Sequence, residues 1–309
     1  MPRPLLSVIV PVYNGASHLK ESLEALLSQT FADFELLIID DGSKDASPEI
    51  VHSFKDSRIR YIRQENKGLC HTLNRGVQES IAPYIARNDQ DDVSMPHRLE
   101  RQMDIISRHP EAVAVYSHYS KFGLKRAWNN ADKQTINNGS VKEVDPLQDG
   151  CLLGSSMLAR TDALQSLMGF RQETYPCDDF DLELRLSQIG KLLLAQENLV
   201  AYRFHSGANT YRLFSVMQDK SRWVRDCHYR RQSGMQELKF EEYLKSRPLS
   251  RWARLQEQRV DLASLHLRVA GLHFLNGHDT LASLHTGLSF LFDPNNLWHR
   301  LRTLKRRRP

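Results

Sequence analysis

The chain has 309 residues, enough to bury a full hydrophobic core in one large domain or in a domain with an appendage. Hydrophobic residues make up 40% of it and charged residues 26%, which excludes a disordered chain, and no stretch approaches the roughly 18 to 20 apolar residues that span a bilayer. The net charge is +5, and four widely spaced cysteines without a C-x-x-C pair argue against a zinc site and a disulfide framework, so we expect a cytoplasmic protein.

The first part of the chain, from residue 5 to about 117, alternates short β-branched runs with longer helical patterns. Strands are predicted in LLSVIVPV, FELLIID, RIRYIR, PYIAR and AVAVYS. Helices are predicted in ASHLKESLEALLSQ and GLCHTLNRGVQESI, each with an apolar stripe on one face. This order is typical of an α/β fold whose doubly wound, Rossmann-like and mostly parallel sheet is flanked by helices and binds ligands at the carboxyl ends of its strands.

Three polar clusters follow predicted strands at that edge. They are Tyr13-Asn14-Gly15, Asp40-Asp41-Gly42-Ser43 and Asp89-Gln90-Asp91-Asp92. The third cluster has three carboxylates in four positions, and like charges so close together need water, helix-end amides or a cation to compensate them. One interpretation is an acidic turn before a helix that starts near Ser94 and Pro96. The other is a site for Mg²⁺ or Mn²⁺, which prefer oxygen ligands.

The rest of the chain changes character twice. Residues 118 to 150 are polar and rich in Asn and Gly, and we interpret them as a variable surface segment or a short hairpin. From 151 to about 210 regular patterns return, strand-like in CLLGSSMLAR and helical in DDFDLELRLSQIG. Beyond residue 215 the pattern is helical throughout.

Five segments stand in a fixed order along the first two thirds of the chain: SVIVPVYNG, LSQTFADFELLIIDDGSKD, NKGLCHTLNRGV, NDQDDVSMPHRLERQ and YPCDDFDLELRL. Together they resemble glycosyltransferase family 2 over roughly residues 5 to 210. The resemblance implies a GT-A fold and an inverting, UDP-sugar-dependent glycosyltransferase. The domains expected on this basis are a GT-A domain at 1–215, with its donor-binding half at about 1–117 and its acceptor side at about 118–215, and a helical C-terminal extension with a basic tail at 216–309.

By this resemblance, the first two clusters hold the nucleotide of a sugar-nucleotide donor. Pro11, Tyr13 and Asn14 would line the uracil pocket, and Asp41 would accept a hydrogen bond from the base or the ribose. A tyrosine ring can stack on uracil, and a carboxylate can accept from its imide N–H. The alternative for Asp41 is an Asp-Gly turn that caps the following helix.

The third cluster occupies the place of the family's D-x-D motif, which favours the metal interpretation. Asp91 would coordinate Mn²⁺ or Mg²⁺ at the diphosphate, and Asp89 would contact the ribose or a metal-bound water. Asp92 is expected to cap the next helix. Arg98 would approach the phosphates, and the alternative for it is a solvated arginine on the surface of that helix.

The segment CDDFDLELRL resembles the family's E-D-x-D motif, whose second carboxylate is the base that takes the acceptor's proton. That carboxylate is Asp179, and Asp178 replaces the usual glutamate, while Asp181 is expected to cap the helix. His205 falls where the family often has a histidine that reaches the metal or the diphosphate, and the alternative is a plain surface histidine. Ser155, in a segment that resembles the family's acceptor-side strand, would touch the donor sugar.

The tail LWHRLRTLKRRRP has an apolar helical face opposite several arginines. This pattern favours binding to an anionic membrane surface, with a docked helix as the alternative, and no motif indicates nucleic acid. We expect transfer of a hexose or N-acetylhexosamine from a UDP-sugar to a glycan or lipid-linked acceptor in bacterial surface polysaccharide or lipopolysaccharide synthesis, at the inner face of the membrane. The alternatives are a nucleotidyltransferase, whose Gly-rich, lysine-containing loop is absent from VYNGASHL, and a non-catalytic sugar-nucleotide-binding protein.

Overall fold

The structure is a computed structural model that describes residues 3–123, 127–128, 140–205, 213–247 and 250–294. Within these residues, helices flank one ten-stranded sheet. The strands are β1 (Leu6–Val12), β2 (Phe34–Asp40), β3 (Ile59–Arg63), β4 (Tyr84–Arg87), β5 (Val93–Ser94), β6 (Ala112–Phe122), β7 (Ala127–Trp128), β8 (Val141–Glu143), β9 (Leu158–Arg160) and β10 (Lys191–Arg203). The helices are α1 (Leu19–Leu27), α2 (Ser47–Ser53), α3 (Leu69–Glu79), α4 (Arg98–Arg108), α5 (Pro146–Asp149), α6 (Thr161–Ser166), α7 (Asp178–Leu186), α8 (Phe214–Gln232), α9 (Phe240–Ser246), α10 (Arg251–Leu275) and α11 (Asp279–Phe292).

The first four strands form a parallel half-sheet in the order β3-β2-β1-β4. Strands β1 and β2 are buried along their whole lengths, because helices cover both faces of the sheet. On one face, Leu23 of α1 belongs to the apolar cluster that contains Val8 and Val10. On the other face, Leu73 of α3 belongs to the cluster that contains Ile9. Alternate residues of β1 therefore pack against helices on opposite faces, and the strands and helix stripes predicted for this half are confirmed.

The second half of the sheet is mixed and continues the order as β9-β6-β10-β5. Strand β10 runs parallel to β6, because the Lys191 N–H donates to the Glu111 carbonyl near the start of both strands and the Phe204 N–H donates to the Phe122 carbonyl near their ends. Strand β9 pairs antiparallel with both β4 and β6, so the strand predicted from AVAVYS joins the parallel half through β9 and not directly. Antiparallel neighbours need no helical crossover, and β9, which has antiparallel neighbours on both sides, is only three residues long. The α/β fold class is confirmed, and β6 and β10 run in the same direction as β1–β4, with the antiparallel β9 between β4 and β6.

The acidic cluster is followed by a strand and not by the predicted helix start. Val93 and Ser94 pair with Ala201 and Val200 of β10, and α4 begins only at Arg98. The chain is therefore held to the sheet directly after the cluster. Of the segment predicted to be a surface loop or hairpin, residues 118–122 extend β6 and residues 140–150 contain β8 and α5, while 124–126 and 129–139 lie outside the described residues.

The chain divides into two compact units. One comprises Met1–Lys121 with Asn129–Arg203, and the other comprises Phe122–Trp128 with Phe204–Pro309. The second unit contains α8 to α11, so the helical character predicted beyond residue 215 is confirmed for the described residues up to 294, while the domain boundary at 215 stays a prediction. None of the helices that the structure describes is long and apolar enough to cross a bilayer.

Candidate active site

The loop that follows β1 is tied to the acidic loop that follows β4. The Tyr13 N–H donates to Gln90 Oε1 at 2.9 Å, and Gln90 Nε2 donates back to the Tyr13 carbonyl at 3.2 Å. A Cβ at Gly15 would clash with the same Gln90 side chain, so the close approach requires glycine. Gln90 thus joins the first and third polar clusters, and the Tyr13 side chain remains 46% exposed beside them.

Asn14 connects this edge to the loop after β2. Its N–H donates to Ser43 Oγ at 3.0 Å, and its Oδ1 accepts from the Lys44 N–H at 2.8 Å. The φ angle of Asn14 is 48°, a left-handed backbone conformation that asparagine adopts more readily than most residues. The three polar clusters therefore meet at one edge of the sheet, at the carboxyl ends of β1, β2 and β4.

Asp41 is buried and accepts three hydrogen bonds from the segment before α3. The donors are the Lys67 N–H at 2.9 Å, the Gly68 N–H at 2.8 Å and the Gln64 side-chain amide at 2.8 Å. A carboxylate has about four acceptor positions, so one position remains for the uracil or ribose contact expected of Asp41. The Asp-Gly turn also forms, but through the neighbouring residue, because Asp40 Oδ1 accepts from the Ser43 N–H at 2.8 Å.

The acidic loop after β4 is fixed by hydrogen bonds from β10 and from Ser155. Ser155 Oγ accepts from the Asp89 N–H at 3.1 Å, the Asp91 carbonyl accepts from Arg203 Nε at 2.9 Å, and Asp92 Oδ1 accepts from the Arg203 N–H at 2.9 Å. Burial raises the pKa of Asp92, and the charges of Asp91 and Asp89 raise it further. Asp92 is therefore buried and bound to the backbone of β10, while the Asp91 side chain is only half-buried.

Arg87, the last residue of β4, lies between two acidic residues that are far apart in the sequence. Its Nε and Nη2 donate to the two carboxylate oxygens of Asp89 at 2.8 and 3.1 Å, and its Nη1 donates to Asp179 Oδ1. The Arg87 side chain is 4% exposed, whereas both carboxylates are 30% exposed. Burial opposes the charge on Arg87, but Asp179 and Asp89 hold its pKa well above the usual range. One guanidinium thus joins the acidic loop to the candidate base.

Asp178 and Asp179 lie in the first turn of α7, where the helix amides favour negative charge. Burial raises the pKa of Asp179, although the neighbouring Arg87 opposes the rise. Burial also raises the pKa of Asp178, to about 7, and the charge of Asp179 adds to this effect. Within the described residues, Asp178 Oδ2 is buried without a hydrogen bond. Asp179 is therefore the carboxylate that is both partly exposed and paired with a cation.

Asp178→Asn should stabilise the protein, increasingly so as the pH rises. The unfolded residue releases its proton near pH 4 and the folded residue near pH 7, so the wild type loses stability across that window while the asparagine variant does not. The difference should grow by at most about 1.4 kcal/mol per pH unit. Melting temperatures of both proteins between about pH 5 and about pH 8 measure it. A difference that is independent of pH would contradict the shifted pKa.

Two residues expected at the donor are buried in the framework instead. Arg98 is 0% exposed and donates to Asn88 Oδ1 at 2.9 Å and to the Arg87 carbonyl at 2.7 Å, so its guanidinium fixes the end of β4 and does not face the phosphates. Ser155 is also 0% exposed, and its hydroxyl supports the Asp89 backbone. The sequence does not reveal these roles, because a buried polar group is paired with whatever the fold places beside it.

Asp92 and Asp181 do not cap helices, contrary to the prediction. Helix α4 begins too late for Asp92 to reach its first amides, and Asp92 binds the β10 backbone instead. Asp181 is 0% exposed and accepts from Arg185 Nε at 2.8 Å and from Arg171 Nε at 3.0 Å. Asp181 is structural, as expected, but it acts through buried ion pairs.

A divalent cation at this site would have to bind at the acidic loop. Asp91 offers carboxylate oxygens, which suit Mg²⁺ and Mn²⁺. Within the described ranges, no three His, Cys, Asp or Glu side chains are grouped so as to hold a metal ion. Substrate phosphates and water would therefore complete the ligand set, as is usual for Mg²⁺. His205 follows β10 in the second unit, and its metal role stays a prediction.

Sequence reasoning missed Arg87, Gln90 and Arg203. Arg87 could have been found, because a charged residue at the buried end of a strand must be paired, and it stands two residues before an acidic cluster. Gln90 and Arg203 show no comparable signal. Gln90 binds backbone atoms across the sheet edge, and Arg203 lies more than a hundred residues beyond the loop that it fixes.

Sequence comparisons find one enzyme family. A sequence model described as "Glycosyl transferase family 2" matches residues 7–168. The uncharacterized glycosyltransferase RP339 of Rickettsia prowazekii is 27% identical over 70% of this chain and 69% of its own length. The putative glycosyltransferase EpsE of Bacillus subtilis is 31% identical over 71% of this chain and 80% of its own length. The chain spans 40% of an uncharacterized glycosyltransferase of Rickettsia felis, which is therefore the longer protein.

Comparison of structures finds the same kind of fold at lower identity. A crystal structure of S. aureus TarS 1-349 in complex with UDP-GlcNAc is 16% identical, with a TM-score of 0.57, over 93% of this chain and 91% of that one. The mannosyltransferase PcManGT of Pyrobaculum calidifontis, in complex with GDP-Man and Mn²⁺, is 17% identical, with a TM-score of 0.58, over 97% and 84%. At these identities the likeness concerns the fold, and it confirms the predicted GT-A class.

Proposed function

Because this chain belongs to glycosyltransferase family 2, we propose that it transfers a hexose or an N-acetylhexosamine from a UDP-sugar to an acceptor hydroxyl, with inversion at the anomeric carbon. The observation that carries the proposal is the pairing of Asp179 and Asp89 with one guanidinium, that of Arg87. This pairing brings a carboxylate suited to act as a base next to the loop expected to hold the donor.

Asp179 is the proposed base. It takes the proton of the acceptor hydroxyl as that oxygen attacks the anomeric carbon. The new C–O bond forms while the bond from the anomeric carbon to the UDP oxygen breaks, and the electron pair of the broken bond leaves with UDP. Asp179 then returns its proton to water. A side chain that is 30% exposed at a helix N-terminus suits a group that must contact an acceptor and exchange protons.

Mn²⁺ or Mg²⁺ is the proposed cofactor, with Asp91 as its main protein ligand. The ion would neutralise the charge that develops on the diphosphate as it leaves. The carboxylate oxygens of the acidic loop fit such an ion, and PcManGT is a related fold in complex with Mn²⁺. Asp89 would contact the ribose or a metal-bound water.

Uracil is the proposed base of the nucleotide, held by Pro11, Tyr13, Asn14 and Asp41. The exposed Tyr13 ring can stack on a pyrimidine, and Asp41 has one acceptor position left for the imide N–H. The solved relatives differ in nucleotide, since TarS is in complex with UDP-GlcNAc and PcManGT with GDP-Man. A test of the donor must therefore compare UDP-sugars with GDP-sugars.

A screen of UDP-, GDP- and dTDP-sugars for hydrolysis by the purified protein, with and without Mn²⁺, tests the proposal. We expect sugar release from one or a few UDP-sugars, and only in the presence of the ion. Release from a GDP- or dTDP-sugar alone would overturn the nucleotide assignment. Release that persists in a chelator would overturn the metal assignment.

The proposed acceptor is a glycan or a lipid-linked oligosaccharide in bacterial surface polysaccharide or lipopolysaccharide synthesis. Support comes from the tail after Asn296, which lies outside the described residues but carries six Lys or Arg residues and Trp298. Helix α11, just before it, exposes Leu281, Leu284 and Leu291 on one face, at 42%, 56% and 74%. The four cysteines form no disulfide bond, which suits a cytoplasmic location.

Removal of residues 297–309 should weaken binding to anionic vesicles. Each basic residue near such a surface contributes on the order of 1 kcal/mol at low salt, and a tryptophan favours the headgroup boundary. Because exposed charges are screened beyond a Debye length of about 8 Å at physiological ionic strength, added salt should release the full-length chain. Co-sedimentation with phosphatidylglycerol vesicles, compared with neutral phosphatidylcholine vesicles, measures the difference. Equal binding by both chains, or binding indifferent to salt and lipid charge, would overturn the tail as an anchor.

A further inference from the structure

We propose that Arg87 is a positioning residue for the base: it holds Asp179 against the donor-side Asp89, and so sets the distance and angle between the base and the sugar. The inference rests on the proposed function, in which Asp179 is the base. It adds a residue whose side chain contacts neither donor nor acceptor, but whose removal should slow the transfer.

The geometry of the guanidinium supports this role. Two of its N–H groups bind the two oxygens of Asp89 side by side, and a third binds Asp179. Because the guanidinium is planar and its donors form a rigid fork, the plane set by Asp89 also determines the direction in which Asp179 is held. A lysine, with one ammonium on a flexible stem, could keep the charge at this point but could not impose both orientations.

Arg87 is itself fixed by the framework. Its backbone N–H donates to the Met157 carbonyl at 3.0 Å, and its backbone carbonyl accepts from Arg98 Nη2 at 2.7 Å. Gly154 completes this support, because a Cβ there would lie 2.6 Å from Asp179 Oδ2 and 2.7 Å from Arg87 Nη1. The arginine and the carboxylate therefore meet in a space that only glycine leaves open.

A buried ion pair elsewhere in the first unit shows what a purely structural arrangement looks like. Asp181 pairs with Arg185 and Arg171, and its own side chain is 0% exposed while theirs are 8% and 24% exposed, so there the carboxylate is the enclosed partner. At the candidate site only Arg87 is enclosed, at 4%, while Asp89 and Asp179 are each 30% exposed. The buried arginine thus binds two carboxylates that remain partly exposed to solvent, where substrates would bind.

A double-mutant cycle tests the inference, with the UDP-sugar identified by the donor screen. Arg87→Gln should lower kcat for sugar release by about 10-fold to 100-fold, the scale of a misplaced catalytic group, and should lower UDP affinity by clearly less, because Asp89 is the only proposed donor contact that Arg87 binds among the contacts described. Arg87→Gln combined with Asp179→Asn should be no slower than Asp179→Asn alone within about threefold, because Arg87 acts through the base. Arg87→Lys, which keeps the buried charge, should fold and remain slow.

The outcomes separate the two proposals. An unchanged rate in Asp179→Asn would overturn the base, and with it the proposed function of this site, whatever Arg87 does. With Asp179→Asn slow, four results would overturn the Arg87 inference: wild-type turnover in Arg87→Gln, wild-type turnover in Arg87→Lys, losses that multiply in the double variant, or UDP affinity that falls as far as kcat. If Arg87→Gln does not fold, the cycle is run with Arg87→Lys. Arg101→Gln, which removes an ion pair with Glu197, is the control and should keep wild-type kcat.

Discussion

Asp179→Asn should reduce UDP-sugar turnover by roughly 100-fold or more, the usual scale for a lost general base, while UDP affinity stays close to that of the wild type. Asparagine has nearly the same shape, and its Oδ1 can still accept from Arg87 Nη1, so the arrangement around Asp89 should persist. What disappears is the basic oxygen. Steady-state sugar release and calorimetric titration with UDP separate the two effects.

Asp178→Asn is the matched control for this variant. It changes the adjacent carboxylate in the same helix turn, but that carboxylate is buried and its pKa is raised to about 7. The turnover of Asp178→Asn should therefore stay near the wild-type value. If the control loses turnover and Asp179→Asn does not, Asp178 is the base. Loss of UDP binding in Asp179→Asn would instead move Asp179 to the donor side.

Asp91→Ala should abolish metal-dependent turnover and metal-dependent UDP binding. The two acidic neighbours of Asp91 already have other partners. Both oxygens of Asp89 accept from Arg87, and the buried Asp92 accepts from the Arg203 backbone. Arg87 holds Asp89 in place and Asp92 is buried, so we expect neither to move into the position that Asp91 leaves. Titration of Mn²⁺ into the protein with UDP present measures the loss.

Asp104→Ala is a suitable comparison, because it removes an acidic residue of α4 that pairs only with arginines of the same helix among the contacts described. Its Mn²⁺-dependent UDP affinity should match that of the wild type. If Asp91→Ala also retains the wild-type affinity, Asp91 is not a metal ligand, and the metal proposal for this loop is wrong.

The sequence predicted the parallel half of the fold well because its signals are local. Hydrophobic runs of strand length, with leucines at helical spacing between them, can satisfy burial in few ways other than a helix-covered parallel sheet. The same reasoning placed three polar clusters at one edge, and hydrogen bonds through Gln90 and Asn14 join them there. The antiparallel direction of β9 was not foreseen, although CLLGSSMLAR was interpreted as strand-like, because the residue pattern of a short strand does not report its direction.

The side-chain roles that failed share one physical cause. Asp92, Arg98 and Ser155 were read from their neighbours in sequence, yet their partners come from β10, from β4 and from the acidic loop. Such long-range pairing is decided by tertiary packing, which neither spacing nor propensity reports. The pairing of Arg87 with Asp179 was missed for the same reason, since the two residues are ninety-two positions apart in the chain.

The anomeric configuration of the first product is the most direct test of the account. Proton NMR of the donor reaction, with the α-linked UDP-sugar found in the screen and with water as acceptor, distinguishes the released anomers before they equilibrate. A base on the face opposite UDP requires the β anomer to appear first. We expect that signal in the wild type, and we expect it to disappear together with turnover in Asp179→Asn. First release of the α anomer would contradict direct displacement, and with it the role of Asp179 as the base.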